Sequence, residues 1–361
     1  MTLSQDDIST IIKEPQKAVR MANLVYVSEN HLSIKRKKEG RGFAYYKQDK
    51  KIGDQKTIKR IKSLVIPPAW KDVRITHLKN GHIQVVGRDD KDRKQYMYHP
   101  VWSKIRNQTK FFKMAAFGKV LPKIRKQVSK DMELEGMPQR KVLALVIRLM
   151  EETHIRIGNQ YYAKNNKTYG LSTFRTKHVK TFKNGLKFEF IGKKGKEHSI
   201  TIENRKLVDL INQCEEIPGW ELFKFYDENG DKQRIDSGMI NDYIHEISGD
   251  IFSAKDFRTW SATKIFFETL RERGYTEDEK ENKKNILEGF DSAAEGLGNT
   301  RAICRTYYVH PKVVETYENG EITPYFKQVK EDNSPNYIQL SETEKAIYKL
   351  IQDYNIEIEE Q

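Results

Sequence analysis

Short runs in which apolar and polar residues alternate dominate the first hundred residues, and this pattern is typical of strands. Glycine and aspartate turns bound the runs. The candidate strands are LVYVSEN (24–30), GRGFAYYK (40–47), HIQVVGRDD (82–90) and KQYMYHPVW (94–102). Between the second and third, the prolines of IPPAW (66–70) exclude a helix.

A helical periodicity replaces this pattern further along the chain. Val142, Val146 and Leu149 recur on one face of a helix that is expected to begin near Pro138 and to end near Gly158. Arg156 is therefore expected at the end of this helix.

Strand patterns then return in LSTFRTKHVKTF (171–182), LKFEFIG (186–192) and EHSITIE (197–203). Asn184-Gly185 predicts a two-residue hairpin turn between the first two, and KKGK (193–196) predicts a second turn.

Most of the chain after residue 205 is expected to be helical. Ser253 with Asp256, and Ser341 with Glu344, have the spacing of residues that cap the start of a helix. The segment TEDEKENKKN (276–285) is expected to be a charge-dense loop.

These patterns predict an α+β fold with two domains. A smaller β-rich domain is expected over residues 1–105, and a larger, mostly helical domain with one small antiparallel sheet over residues 106–361.

Charge narrows the choice of partners. Lys plus Arg is 65 against 51 for Asp plus Glu, so the net charge is +14, and the pI is 9.4. A basic balance of this size favours a polyanion, most often nucleic acid, while a merely solubilising surface is the alternative. The two cysteines form no CxxC pair, which argues against a zinc site and a disulfide framework and fits a reducing cytoplasm. No secretory signal and no apolar run of membrane-spanning length is evident.

Two adjacent tyrosines, Tyr307 and Tyr308, lie in LGNTRAICRTYYVHP. A phenol, with an unperturbed pKa of about 10, needs nearby positive charge to attack anything at neutral pH. Four basic or polar residues earlier in the chain are candidates to stand near it: Arg156, Lys193, Arg258 and Asn299. Each also has an ordinary structural role, such as capping a helix or lying solvated in a turn.

Seven stretches of the chain together resemble the type IB DNA topoisomerases, in particular the short poxvirus-like and bacterial branch. The matching stretches are GRGFAYY, IPPAWKDVRI, GRDDKDRKQYMYHPVW, HIRIGNQYY, FIGKKGK, KDFRTWSAT and NTRAICRTYYVHP. Their order and spacing carry the resemblance, which implies a β-rich DNA-binding domain followed by a catalytic domain shared with the tyrosine recombinases.

The resemblance implies catalytic roles for two arginines that bind the scissile phosphate, a hairpin lysine, an amide donor and a tyrosine nucleophile: Arg156, Arg258, Lys193, Asn299 and Tyr308. Tyr308 is the nucleophile because it lies nine residues after Asn299, and Tyr307 is expected to point about 100° away and to pack. Poxvirus members usually carry histidine where this chain has Asn299, whose amide donates a hydrogen bond but cannot titrate.

The implied reaction is relaxation of supercoiled duplex DNA through a 3′-phosphotyrosine, with Lys193 as general acid and the base for Tyr308 left open. No cofactor and no metal is implied, and the chain contains no GxxxxGK[ST] loop. Double-stranded DNA is the expected partner, clamped by a monomer in the cytoplasm, associated with the nucleoid if the source is bacterial. Candidate DNA contacts are Arg93, Lys94, Gln95, Tyr96 and Tyr98 on a strand, and Asn159 and Tyr162 in NQYYAK.

Two other functions stay open. A tyrosine recombinase or integrase has a similar set of catalytic residues, but it usually shows His-x-x-Arg where this chain has Lys255 three residues before Arg258, and its DNA-binding part is helical. An inactive DNA-binding protein is the second alternative.

Overall fold

The computed structural model describes residues 14–249, 251–330 and 336–355. The described residues form two compact units, one of residues 14–112 with Asn355 and the other of residues 113–354. The sequence placed the domain boundary at residue 105, whereas the change of unit occurs after Phe112.

The first unit is built on a six-stranded antiparallel sheet with strand order β3-β2-β1-β4-β5-β6. Its strands are β1 (Ile34–Glu39), β2 (Gly42–Lys47), β3 (Lys50–Lys51), β4 (Lys71–Ile75), β5 (Ile83–Arg88) and β6 (Lys94–Tyr98). Its helices are α1 (Pro15–Met21) and α2 (Gln55–Ser63), and α3 (Pro100–Asp131) begins here. The expected β-rich character of this part of the chain is confirmed.

Two expectations for this unit were wrong. Residues 24–30 form no strand: Val25 makes one isolated bridge to Gly81, and Glu29–His31 form a 3-10 turn. Strand β1 was not expected because IKRKKE shows no alternation of apolar residues. Ile34 is its one buried residue, so the strand is held by its neighbours rather than by a buried face of its own.

The second unit is mostly helical. Its helices after α3 are α4 (Gln139–Thr153), α5 (Gln160–Asn166), α6 (Arg205–Glu216), α7 (Ser237–Ser248), α8 (Ala254–Arg273), α9 (Glu279–Leu297), α10 (Arg301–Tyr307), α11 (Pro311–Glu318), α12 (Thr323–Gln328) and α13 (Glu342–Ile351). Val142, Val146 and Leu149 of α4 are fully buried in a single large core, as their spacing predicted. The α+β class is confirmed.

Helix α4 ends earlier than expected. His154 adopts a left-handed conformation (φ 56°) and its backbone N–H donates to the Met150 carbonyl, which closes the helix. Arg156 therefore lies in an irregular segment beyond the helix, and the prediction that it ends the helix was wrong.

A three-stranded antiparallel sheet carries the hairpin of interest, with β7 (Val179–Phe182), β8 (Gly185–Ile191) and β9 (Glu197–Ile202). Both expected turns are present, although Phe182 pairs with Gly185, so Lys183 and Asn184 form the first turn. A second, two-stranded sheet of β10 (Lys224–Tyr226) and β11 (Lys232–Arg234) was not expected, since three residues are too few to show a pattern.

Helix α8 begins as its capping residues predicted, with the Asp256 carboxylate accepting from the Ser253 backbone N–H at 2.8 Å. The indole of Trp260 on this helix donates to Glu344 Oε1 at 2.9 Å, which ties α8 to α13. Glu344 also caps its own helix, since it accepts from the Ser341 backbone N–H.

The expected loop at 276–285 was wrong beyond its first residues, because Asp278 caps α9, which begins at Glu279. Acidic residues in a first turn stabilise a helix, which is why charge density misled here. Among the described residues, no helix is both long and apolar enough to cross a membrane.

Candidate active site

Tyr308 lies directly beyond helix α10. Its backbone N–H still donates to the Cys304 carbonyl at 3.0 Å, but its φ of −128° ends the helical geometry. The Thr263 hydroxyl of α8 donates to the Tyr308 carbonyl at 3.3 Å and accepts from the His310 N–H at 3.0 Å. Thr263 is fully buried, so α8 fixes the turn that carries the tyrosine. No sequence pattern had singled out Thr263.

The two adjacent tyrosines differ in their surroundings. Tyr307 is 44% exposed, so it packs less closely than expected. Tyr308 is half-buried and packs against the core of the second unit. The second tyrosine is therefore the one that packs against the protein interior.

Arg258 lies on the inner face of α8 and is only 5% exposed. Its Nη1 donates to the His154 carbonyl and its Nη2 to the Leu297 carbonyl at 2.8 Å, so two backbone acceptors hold the guanidinium in place. Its Nε–H is buried and meets no acceptor among the described residues. Burial and the neighbouring Arg156 lower the pKa of Arg258.

Arg156 and Asn299 are brought into direct contact. The backbone carbonyl of Arg156 accepts a hydrogen bond from the Leu171 N–H at 2.9 Å. The Arg156 side chain donates from Nη2 to Asn299 Oδ1 at 2.5 Å. Because the amide oxygen is engaged by the guanidinium, the Asn299 Nδ2 group remains as a donor. In the described part of the chain this buried Nδ2 finds no acceptor.

Lys193 lies at the tip of the β8–β9 hairpin, where Gly192 N–H donates to the Lys196 carbonyl at 2.7 Å. Desolvation by the surrounding protein lowers the pKa of Lys193, and the positive charge of Arg156 lowers it further. A lysine with a lowered pKa gives up its proton more readily, which suits a general acid.

The charged side chains of the site change the pKa of Tyr308. Burial raises the pKa of its phenol, but the positive charges of Arg258, Arg156 and Lys255 outweigh burial and hold the pKa below its ordinary value. The Arg258 guanidinium carbon lies 5.7 Å from the centre of the Tyr308 ring. Lys255 is a contributor that sequence reasoning did not assign, although its place one turn before Arg258 on α8 puts both side chains on one face.

A cavity of about 550 Å³ lies beside this cluster. Arg156, Lys193 and Arg258 line it together with His198 and Gly298. Its wall therefore carries three of the five expected catalytic residues, and the carboxylates of Glu152, Glu197 and Glu295 line it as well. Within the described residues, no group of three or more His, Cys, Asp or Glu side chains is placed to hold a metal ion.

Four of the five candidate DNA contacts in this region lie on β6, an edge strand of the six-stranded sheet, and Arg93 directly precedes the strand. Arg93 Nε and Gln95 Nε2 both donate to Asp89 Oδ2, at 2.7 and 2.8 Å. Tyr96 is 42% exposed and its ring stacks near that of Tyr98, with centroids 6.1 Å apart. The Lys94 ammonium lies 5.5 Å from the Tyr96 ring centre.

Asn159 and Tyr162 lie at helix α5. Asn159 caps this helix by accepting from the Tyr161 N–H at 2.9 Å, which is a structural task. Tyr162 is 45% exposed and packs edge to face with Tyr161. The structure thus leaves Tyr162 accessible and gives Asn159 a capping role; neither observation tests DNA binding.

Comparison with known proteins identifies the family. The model of the eukaryotic DNA topoisomerase I catalytic core matches residues 99–334, and that of the bacterial DNA topoisomerase IB N-terminal domain matches residues 42–89. DNA topoisomerase 1B of Acanthamoeba polyphaga mimivirus is 33% identical over 320 residues, which are 86% of this chain and 95% of the relative. DNA topoisomerase 1B of Vaccinia virus (strain Copenhagen) is 21% identical over 234 residues, 64% of this chain and 71% of the relative. With a catalytic-core match over most of its length and a relative covered almost completely, the chain belongs to the type IB DNA topoisomerases.

Proposed function

We propose that this topoisomerase relaxes supercoiled duplex DNA by cutting one strand through a 3′-phosphotyrosine at Tyr308, letting the DNA rotate, and resealing it. One observation carries the proposal. Two buried donors, Arg258 Nε and Asn299 Nδ2, meet no acceptor in the described protein beside a tyrosine whose pKa is lowered. Buried donors are rarely left unpaired, so an anion such as a phosphodiester is their natural partner.

The cleavage step follows from these positions. The Tyr308 oxygen forms a bond to phosphorus and the bond from phosphorus to the 5′ oxygen breaks. The leaving 5′ oxygen keeps the electron pair and takes a proton from Lys193, while the phenolic proton of Tyr308 is lost to a base that the proposal does not assign. Religation is the reverse: the 5′ hydroxyl attacks, returns its proton to Lys193, and releases Tyr308.

Stabilisation of the transition state falls to the two arginines and the asparagine. Charge accumulates on the non-bridging phosphate oxygens, and guanidinium groups bind such oxygens with strong, charge-assisted hydrogen bonds. Arg258 is already fixed by two backbone carbonyls, so little reorganisation is needed when DNA binds.

The proposed cycle requires neither ATP nor a metal ion. The phosphotyrosine bond conserves the energy of the phosphodiester, and the arginines supply the positive charge that a metal would otherwise contribute. We further propose that a monomer encloses the duplex, with the net charge of +14 providing much of the binding energy.

Relaxation of supercoiled plasmid in EDTA, with ATP omitted, tests the proposal. We expect the wild-type protein to relax positive and negative supercoils and Tyr308→Phe to relax neither. Tyr307→Phe is the matched control, since it removes the neighbouring hydroxyl, and it should retain activity. An inert wild type, or an active Tyr308→Phe, would overturn the proposal. Strand exchange between recombination substrates would point to a recombinase instead.

A further inference from the structure

His198 occupies a fixed place on the hairpin that carries Lys193. It lies on β9 opposite Phe190 of β8, and the two rings stack with centroids 4.8 Å apart and planes 9° from parallel. The ring is half-buried, and it lines the cavity shared with Arg156 and Arg258. The imidazole therefore points toward the active site from the hairpin side.

Two glycines that precede catalytic residues pack against this imidazole. A Cβ placed on Gly192, the residue before Lys193, would lie 2.6 Å from His198 Nε2. A Cβ on Gly298, the residue before Asn299, would overlap His198 Cε1. Only residues without a side chain allow approaches this close. The ring thus fills the space between the lysine hairpin and the loop that leads to the amide donor.

The charge of the ring fits this position. Burial lowers the pKa of His198, and the positive charges of Arg156, Lys196 and Arg258 lower it further. The imidazole is therefore neutral at neutral pH, and it can pack among cations without repelling them.

We propose that His198 is a positioning residue, which holds the Lys193 hairpin against the Gly298–Asn299 loop so that the lysine reaches the leaving 5′ oxygen. The inference rests on the proposed general-acid role of Lys193. It differs from a purely architectural role for the ring, because it predicts a defect confined to delivery of the proton.

A substrate whose leaving group needs no proton distinguishes a residue that positions Lys193 from one with a purely architectural role. In DNA whose scissile 5′ oxygen is replaced by sulfur, the leaving thiolate is far less basic than an alkoxide and departs without a general acid. Single-turnover cleavage of oxygen and sulfur substrates would be compared for wild type, Lys193→Ala, His198→Ala and Thr201→Ala. Thr201 is an exposed residue of the same strand and serves as the control for altering β9.

We expect His198→Ala to cleave oxygen DNA about 10²-fold more slowly, since a displacement of about 1 Å can cost that much. With sulfur DNA its rate should return to that of the wild type, as should the rate of Lys193→Ala. Thr201→Ala should match the wild type on both. A slow His198→Ala on both substrates, or no defect on either, would overturn the inference alone. Failure of sulfur to restore Lys193→Ala would overturn the general-acid role itself, and the inference with it.

A double-mutant cycle tests the packing directly. Gly192 has φ −92°, which alanine adopts without strain, so the cost of Gly192→Ala comes from displacing the imidazole. We expect Gly192→Ala to slow cleavage of oxygen DNA in the wild type and to cost nothing more in His198→Ala. An equal cost in both backgrounds would show that the glycine and the ring act independently, and would contradict the inference.

Discussion

The active-site cluster of the second unit and the region of strand β6 in the first unit differ in whether their side-chain hydrogen-bond donors have acceptors. At the active site, Arg258 Nε and Asn299 Nδ2 are buried and meet no acceptor in the described chain. At β6, the side-chain donors of Gln95 and of Arg93, which directly precedes the strand, are already engaged by one carboxylate, Asp89. Buried donors are rarely left unpaired, so these two are available to a bound anion, whereas paired donors are explained by the fold alone.

The two groups of residues that the sequence singled out differ in their surroundings. The five residues assigned to catalysis come from distant parts of the chain, and the positive charges of Arg258 and Arg156 lower the pKa of the Tyr308 phenol. Arg93 and Gln95 stabilise the turn before β6, so their role in DNA binding stays a prediction. Tyr96 and Lys94 remain better placed to contact DNA, since Tyr96 is 42% exposed.

The largest expected effect comes from removing Arg258, a side chain held in place to donate hydrogen bonds to the phosphate. Arg258→Ala should slow single-turnover cleavage by about 10²–10³-fold, because a preorganised donor to the transition state is lost. Arg258 also donates to two backbone carbonyls, so its loss could destabilise the fold. The thermal stability of the variant is therefore measured alongside its cleavage rate. Arg258→Lys is the matched variant: it keeps the charge but loses the planar fork, and should remain well below wild type. Full activity of the lysine variant would show that charge alone is required.

A smaller effect is expected at the neutral donor. Asn299→Ala should slow cleavage about 10- to 100-fold, the worth of one hydrogen bond to a charged group. Asn299→His restores a donor that can also carry charge, so it should recover activity and add a pH dependence near neutrality. If Asn299→Ala cleaves at the wild-type rate, Nδ2 is not a phosphate donor and the contrast with β6 weakens.

The rate of cleavage is expected to rise and then fall as the pH increases. Because the pKa of Tyr308 is lowered, its phenolate forms below the ordinary tyrosine range, and the rate should rise with pH toward that point. Because the pKa of Lys193 is also lowered, its acid form disappears below the ordinary lysine range, and the rate should then fall. Sulfur DNA should abolish the fall and leave the rise. An alkaline fall that persists with sulfur would assign it to another group.

The smallest effect is expected at Asp89, between β5 and β6. Asp89→Asn removes a negative charge, which is held at a pKa of about 2 chiefly by its bond to Arg93, and so makes the surface beside β6 more positive. Duplex binding should tighten modestly, with the slope of log affinity against log salt growing by about 0.9 if one phosphate contact is gained. Lys91→Ala is a control for charge in the same turn. A lower melting temperature with unchanged binding would mean that Arg93 and Gln95 only support the turn.

Much of this organisation was accessible from the sequence, for identifiable reasons. Helix α4 and the capped start of α8 follow from periodicity and capping, which are local. The hairpin of Lys193 follows from turn residues. Helix α3 and strand β1 were missed because their residues show no clear face; β1 carries five charged residues in six.

Some residues of the site could also be assigned from the sequence, and others could not. The five catalytic residues were assigned by family resemblance, which carries information about distant positions that local patterns lack. Thr263, Lys255 and His198 went unassigned because each acts through contacts between segments far apart in the chain. Such contacts exist only once the core of the second unit has brought the segments together.

Isolation of the covalent intermediate would show directly whether Tyr308 is the nucleophile. The protein would be trapped with denaturant on a nicked duplex whose downstream strand is lost after cleavage, digested with trypsin, and the nucleotide-bearing peptide fragmented in a mass spectrometer. We expect the peptide following Arg305 to carry the DNA through a 3′-phosphate on Tyr308 and not on Tyr307. Attachment at Tyr307, linkage through a 5′-phosphate, or no adduct from an active preparation would contradict it.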